Sequence, residues 1–413
     1  MWGAISMTYV FYLTGTLYIV GAAVGWTLFA LVLLRTFVEG KAAKDSCVPV
    51  VIWIWILSML VMLVALLMAH ANYDLSMGQT IKSSVGWAKG WALLALLPLL
   101  GAIASVRPKV IIRACCILSS QAVVFVGIGI VLAVVNFHGQ LYLSPLKAVG
   151  GPISAFEVGL YGLNPETGRA RWSFFAPWAP AAGLMSCLLL VICLQEKDQF
   201  WRRMGIFGAL CMCLFCQSRA GWAIFIAIPG MLIFFNRVRN PLYILAAGVA
   251  FSALILLGEP LFELAGQTYQ DIKDSRADST RVRSTLANLA LQRWESEAPI
   301  WGHGIVERGP KIVEFMPIGS HHSWYGLLFV KGIVGLFALA IPMAATIIYF
   351  LCASLRSQRA RSALVIMIIF LGYSFFENLE ILAYIFWPIF LWLGIALNPI
   401  KLTIEESQIS GAH

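Results

Sequence analysis

The sequence predicts an all-α fold: a polytopic membrane bundle of about 11–12 helical spans with a large, partly helical loop on its outer side. Three observations predict it. The chain of 413 residues is 60% hydrophobic and only 12% charged, against about 25% charged in soluble domains. Uncharged runs recur along the whole length, many of them near the ~20 residues that cross a bilayer. The runs are continuous, whereas a transmembrane barrel needs short alternating strands. Lipid cannot satisfy open backbone groups, so helices are the default. Residues 1–413 read as a single integral membrane domain.

Hydropathy places the spans, in order, at Tyr9–Leu34, Val48–Ala69, Val85–Val106, Val110–Phe137, Pro177–Leu194, Met204–Phe215, Ala220–Phe235, Pro241–Gly258, Trp324–Leu351, Ala363–Phe376 and Ile381–Leu397. The first is expected to stay attached. Met1 to Thr8 carry no positive charge, and the run behind them is longer than a signal-peptide core. The sixth is short, and the break Gln217-Ser218-Arg219 follows it.

Basic residues orient this bundle. Arg35, Lys41 and Lys44 share one connection. Arg107, Lys109 and Arg113, then Lys197, Arg202 and Arg203, then Arg237 and Arg239, then Arg356, Arg359 and Arg361 fall on the same side if the spans alternate. That side is expected to be cytoplasmic, with the N-terminus outside and the C-terminus inside. The opposite side then carries a first outer loop, 138–176, the Arg219 turn, a long outer loop, 259–323, and the Glu377-Asn378 turn. His138, His303, His321 and His322 all fall there. The net charge of +9 thus reflects inside anchoring. A nucleic-acid partner is excluded, since it needs a basic polar face with exposed aromatics. The long loop balances its arginines with Asp274, Asp278, Glu295, Glu297 and Glu307, so it is no polybasic lipid patch. Glu259–Thr280, with LFELAGQTYQDIKD, reads as partly helical. Thr280 followed by Val282, Leu286, Leu289 and Ala290 predicts a capped amphipathic helix on the membrane surface.

Nine cysteines lie in or beside spans. Cys211, Cys213 and Cys216 are read as small buried hydrophobes, not as a metal site. His321 and His322 lack the convergent ligands that zinc needs, so no metal and no cofactor is expected.

Polar chemistry concentrates between Thr280 and Gly335. Arg281, Arg283 and Arg293 stand close together, and Arg283 and Arg293 roughly share a helix face. As a salt-bridged solvated helix they need no function. Arg293 and Gly304 satisfy an Arg-x10-Gly spacing, in itself a weak signal. Arg219, in CQSRAGW, ends one span and starts another. Its guanidinium fork and the following helix start suit a phosphate, against the alternative of snorkelling to headgroups. Arg171 precedes the fifth span amid prolines and aromatics, where an interfacial anchor is the plain alternative. His322, or its neighbour His321, can take a proton from a hydroxyl near neutral pH; a helix cap is the structural alternative. Lys331 can snorkel, pair with a glutamate or bind phosphate. Glu377 and Glu380 are placed to pair with outer arginines. His70 and Asp74 read as interfacial.

Four pieces in order then resemble the O-antigen ligase and O-antigen polymerase superfamily. They are RWSFFAPWAPAAG, SRAGW, RSTLANLALQRWESEAPIWGHG and HSWYGLLFVKGIVG, covering Arg171 to Leu336. The doubled histidine and Ser323 in place of the commoner asparagine depart from the pattern, as does a count nearer eleven spans than twelve. The resemblance implies an inner-membrane glycosyltransferase acting outside the cytoplasm on an undecaprenyl-diphosphate-linked oligosaccharide. It implicates Arg171, Arg219 and Arg283 in holding the diphosphate and His322 as the base, in an inverting, metal-independent transfer. Arg281, Arg293, His321, Lys331 and Glu377 are secondary candidates. The implied acceptor is another lipid-linked glycan, for a polymerase of O-antigen or exopolysaccharide repeat units, which the Arg-x10-Gly spacing and the paired arginine-bearing outer loops favour; lipid A-core, for a ligase, and a protein, for an oligosaccharyltransferase, are the alternatives. Membrane lipid and a chain-length regulator are the further partners. The reading from another class is a polysaccharide flippase or transporter, which would place broken helices and ionisable groups near the bilayer midplane.

Overall fold

The computed structural model describes residues 1–39, 48–104, 106–135, 137, 139–164, 168–238, 240–256 and 277–398. Lys41, Lys44, Cys47, His138, Arg239, the stretch Leu261–Asp274 and the chain beyond 398 lie outside them. Among the described residues six helices are long and apolar enough to cross a membrane: Leu17–Val38, Val50–Asn72, Met77–Ile103, Pro108–Val134, Arg219–Arg237 and Ser323–Ser354. The chain is mostly helical, as expected, and fits a multi-pass membrane protein.

In chain order the helices are α1 (Trp2–Ser6), α2 (Thr8–Leu13), α3 (Leu17–Glu39), α4 (Val50–Asn72), α5 (Met77–Lys89), α6 (Trp91–Ile103), α7 (Pro108–Val134), α8 (Ala179–Cys193), α9 (Gln199–Phe215), α10 (Arg219–Arg237), α11 (Pro241–Leu256), α12 (Ala277–Glu297), α13 (Ser323–Ser354), α14 (Gln358–Tyr373) and α15 (Ala383–Leu397). The short helices α8 and α15 are apolar on every side and buried along almost their whole length. That pattern belongs to helices ringed by other helices. Side chains such as Phe37, Val134 and Ile226 on the outer helices are left largely exposed, as lipid contact requires. A close crossing joins α6 to α15: a Cβ on Gly101 would stand 2.0 Å from Leu391 O, and one on Gly394 2.0 Å from Pro98 O. Small residues permit such approach between membrane helices.

Two sequence expectations about spans are corrected. The first apolar run is not one helix. Gly15 takes φ +67 and sits against Ser144, and the chain reverses there. α1 and α2 run along α7, where Gln121 Nε2 donates to Ser6 O at 2.9 Å and Tyr9 stacks on Phe125. Trp2 lines a cavity with Lys109, Arg113 and Arg359. The N-terminus therefore sits at the basic end of the bundle, not opposite it. Hydrophobicity carries no direction, so the run hid the reversal. The expected span Val85–Val106 begins earlier, at Met77, and turns at Gly90 into a second helix.

The basic end is tied together by Arg113 on Glu196, Nε to Oε2 at 2.9 Å, and by Arg361 on Ser354 O and Asn236. At the other end, 139–164 and 168–176 carry two small antiparallel strand pairs. β1 (Gln140–Leu143) pairs with β2 (Glu157–Gly159), and β3 (Gly162–Leu163) with β4 (Ala170–Arg171). The amphipathic helix α12 covers Ala277–Glu297, so Thr280 lies inside it and not at its N-cap. Its apolar side packs Val282 and Leu286 on Val313, and Leu289 and Ala290 on Ile318 and Phe329.

α13 is broken. Gly332 holds φ 62 and ψ −164, a region open essentially to glycine alone. Four of the freed backbone groups are met by the segment 299–304. Ile333 and Val334 N–H donate to Pro299 O at 3.0 Å and Ile300 O at 3.3 Å. His303 and Gly304 N–H donate to Phe329 O and Val330 O, both at 2.9 Å. A helix interruption inside a bundle is stable only when its end groups find such partners. The part that follows, Ile333–Ser354, is long enough at 1.5 Å per residue, about 33 Å, to cross the apolar layer alone.

Candidate functional site

The site is built at the end of the bundle where α8, α10 and α13 begin and α9 and α14 end. α9 stops at Phe215. Gln217 then takes a left-handed φ of 49, and Ser218 caps α10 by accepting from Gly221 N–H at 3.2 Å. The break predicted at Ser218-Arg219 is thus the actual boundary. Arg171, on β4, reaches into this turn: Nε donates to Cys216 O at 2.8 Å and Nη2 to Gln217 O at 3.4 Å. In return Gln217 Nε2 donates to Ala170 O at 2.8 Å. Carbonyls at a helix C-terminus lack intrahelical donors, and a guanidinium satisfies two of them here. Arg219 opens α10 and is exposed. It stands where backbone N–H groups and the helix dipole favour an anion.

Behind Arg219, Ser218 packs on Gly183 of α8 beside the Tyr373 hydroxyl. A Cβ on Gly183 would meet Ser218 Cβ at 2.8 Å and Tyr373 Oη at 3.2 Å. One residue on, Ser374 O accepts from Ser323 N–H at 2.9 Å, and Trp324 Nε1 donates to Ser374 Oγ at 2.8 Å. Ser323 Oγ donates to Glu377 O at 2.6 Å and accepts from Leu379 N–H at 3.0 Å, while His322 N–H donates to Asn378 Oδ1 at 3.0 Å. Ser323, buried to 1% exposure, thus pins the start of α13 to the end of α14. Through this chain of neighbours the Arg219 turn and the histidine pair share one end of the bundle.

Glu377 lies at the centre. Its Oε2 accepts from Trp178 Nε1 at 2.7 Å, and its Oε1 is buried without a partner. Burial pushes the carboxyl up to about 7, against the Trp178 hydrogen bond and the positive charges of Arg283 and Arg171. Arg283 also bears on His321. Burial first, then that charge, pulls the His321 imidazole down to about 4. Arg171, Arg283, His321 and Glu377 therefore occupy one electrostatic neighbourhood.

The two histidines differ in kind. His322 is the N-cap of α13. Its Nδ1 accepts from Tyr325 N–H at 3.3 Å, and its ring stacks on Tyr325 with centroids 3.9 Å apart. Burial pulls it down to about 4, so it is neutral at pH 7. With the Nδ1 lone pair committed, the hydrogen sits on Nε2. His321 holds a left-handed φ of 62, an uncommon conformation for a side-chain-bearing residue. The structure gives its ring no hydrogen bond to any described residue.

The remaining arginines lie apart from this cluster. Arg281 Nη1 donates to Ile312 O at 3.5 Å. Arg293 binds Glu297 through Nε and Nη2 at 2.8–3.0 Å, binds Glu307 through Nη1, and covers the Phe329 ring. His303, 2% exposed, bridges Glu297 Oε2 at 2.8 Å and Phe329 O at 2.9 Å. Arg293 thus belongs to the junction that fills the α13 break, where Gly304 of the Arg-x10-Gly spacing also sits. Lys331 and Glu380 face a separate cavity beside the site. Sequence reasoning missed Trp178 and Asn378. A tryptophan between two prolines ahead of α8 was the available signal for the first.

Among the described residues no three His, Cys, Asp or Glu side chains converge as metal ligands. The described cysteines are unpaired, and all but Cys211 and Cys352 are buried. A comparison with protein-family models finds none that matches this chain, and a comparison with curated proteins finds no match either.

Proposed function

We propose that this chain is a membrane glycosyltransferase that takes a glycan from a polyprenyl diphosphate, of the O-antigen ligase and polymerase type, in a bacterial inner membrane with its site outward. The observation that carries the reading is the shared neighbourhood of Arg283, Arg171, His321 and Glu377 beside the Arg219 turn. Arg219 and Arg283 hold the diphosphate. Arg171 holds the turn that presents Arg219, so it positions more than it binds. Guanidinium forks match phosphate oxygens and neutralise the charge that develops as the leaving group departs.

The acceptor hydroxyl oxygen attacks the anomeric carbon, and the bond from that carbon to the diphosphate oxygen breaks. The diphosphate leaves with the electron pair, and the hydroxyl proton passes to an imidazole. Sequence alone favours His322 for that role. The lone pair that caps α13 makes His321 the better acceptor, because its ring is uncommitted. Its low proton affinity is partly set by Arg283. A bound diphosphate offsets that charge and raises the imidazole toward the working range, so the donor itself switches on the base.

The polymerase leads over the ligase, which differs only in acceptor, because the Arg-x10-Gly spacing resembles one found in some glycan polymerases; both of its residues sit at the α13 break. A transporter reading has one observation in its favour, the broken α13 with buried Lys331. Against it, the break is filled by backbone from 299–304, and Ile333–Ser354 crosses without it. Purified chain with a synthetic polyprenyl-diphosphate oligosaccharide decides. Release of polyprenyl diphosphate with glycan transfer supports the reading; passage of substrate across vesicles without bond cleavage overturns it.

A further inference from the structure

Next to the proposed diphosphate site lies a cavity of about 520 Å³ whose polar lining includes Lys331, Glu380, Ser320, Asn378 and Gln79, with Trp87 alongside. That size is within the range of small-molecule sites, about 300–1,000 Å³. Three of its polar side chains, Glu380, Ser320 and Lys331, carry groups that no described residue satisfies. Glu380 Oε2 and Ser320 Oγ are buried with no hydrogen-bond partner. Lys331, 4% exposed, makes no hydrogen bond or ion pair with any described residue, although it shares the cavity with Glu380. Burial pushes the Glu380 carboxyl up to about 7, with the Lys331 charge pulling the other way. Leaving such groups unmade is costly, so the arrangement points to a ligand that completes them.

The charges choose the ligand class. A phosphate would meet Lys331 but also the Glu380 carboxyl. A cation would meet the reverse conflict. A hydroxyl accepts from an ammonium and donates to a carboxylate, and several hydroxyls on one ring serve Lys331, Glu380 and Ser320 together. An indole at the wall gives a sugar ring an apolar surface. The cavity also adjoins the chemistry: Ser320 precedes His321, and Asn378 holds the His322 backbone.

We propose that this cavity binds the acceptor saccharide, with Lys331, Glu380 and Ser320 gripping its hydroxyls so that one of them faces His321. The acceptor role rests on the transferase reading; the saccharide site does not. The test titrates the full-length chain in detergent with methyl glycosides of glucose, galactose, rhamnose and N-acetylglucosamine, reading tryptophan fluorescence and equilibrium dialysis. At least one glycoside should bind. Glu380→Gln and Lys331→Met should each weaken it by about ten- to a hundred-fold, as loss of a hydrogen bond to a charged group does. Ser320→Ala removes a hydroxyl that has no partner in the fold. It should leave thermal stability unchanged and weaken binding by about two- to ten-fold. Arg219→Ala and Arg283→Ala should leave glycoside binding intact. Failure of all four glycosides to bind overturns the proposal, as does equal binding by Glu380→Gln and Ser320→Ala. Competition by inorganic phosphate or phosphoethanolamine also overturns it, since the site is then one for an anion or zwitterion. If glycosides bind with the expected sensitivities and no transfer occurs, the transferase reading falls and the saccharide site stands. If transfer occurs while Glu380→Gln and Ser320→Ala leave the acceptor KM unchanged, the site falls and the transferase stands.

Discussion

Gly302 and Gly332 stand back to back. A Cβ on Gly302 would lie 2.4 Å from Lys331 N and 2.5 Å from Gly332 N, and one on Gly332 would lie 2.2 Å from Ile300 O and 2.7 Å from Gly302 N. Both residues have positive φ. The contact lets the segment 299–304 bond directly into a broken helix next to Lys331. Gly302→Ala and Gly332→Ala should each cost about 3 kcal/mol through combined strain and clash. A fall in thermal midpoint of the purified protein checks this. Gly230→Ala, in α10 with open space around its Cβ position, is the control and should change nothing.

The histidine pair separates cap from chemistry. Asn is a good N-cap and tolerates left-handed φ. His322→Asn should keep fold and most turnover, while His321→Asn should keep fold and lose activity by about a hundred-fold, the scale of a lost general base. The reverse ranking in a diphosphate-release assay would return the base role to His322.

Arg219→Ala and Arg283→Ala should each lower transfer by about 10²–10³-fold, as removal of one charge-stabilising donor does. Binding of the lipid diphosphate should weaken with them. Chelation by EDTA should leave the rate unchanged; loss restored by a divalent ion would contradict a guanidinium-based mechanism.

Stability should depend on pH through the histidines. Both are held near 4 in the folded chain, below the unfolded value of about 6.5. Their neutral burial is fully tolerated above the unfolded value. As pH falls from about 6.5 toward 4 the unfolded histidines bind protons that the folded ones refuse, so their contribution declines across that window. Glu377 and Glu380, held up near 7, act in the opposite sense between about 4.3 and 7, so the check is a difference: the thermal midpoint of the wild type minus that of the double asparagine variant should be flat above pH 7 and fall below 6.5.

The Arg293–Glu297–His303 latch on α12 should respond in the same direction but at lower pH. Hydrogen bonds from Arg293, then His303, hold Glu297 at about 2, below its unfolded value of about 4.3. The contribution is present above 4.3 and is lost as pH falls toward 2. Glu297→Gln should speed proteolytic cleavage near α12 at pH 7, and the wild-type latch should resist equally at pH 7 and pH 5.

Much of the architecture was legible because hydropathy is a local property. α4, α7, α10 and the apolar centres of α8 and α15 fall where the runs place them, and the Ser218-Arg219 boundary follows from a capping residue and a charge between two apolar runs. The site was legible in part. Arg171, Arg219, Arg283, His321, His322 and Glu377 were all marked by being polar in an apolar chain. Their division of labour was not, since it depends on whose lone pair is already spent.

The sequence by itself determined that this chain is helical, membrane-embedded and polar at its ends, because about twenty apolar residues in a row admit few other fates. Tertiary structure alone decided the reversal at Gly15, the break at Gly332 and the parting of Arg283 from Arg293. Each depends on backbone or charge partners supplied from distant parts of the chain: Ser144 for the first, segment 299–304 for the second, and Glu377 against Glu307 for the third. No local pattern encodes a partner that folding has yet to bring near.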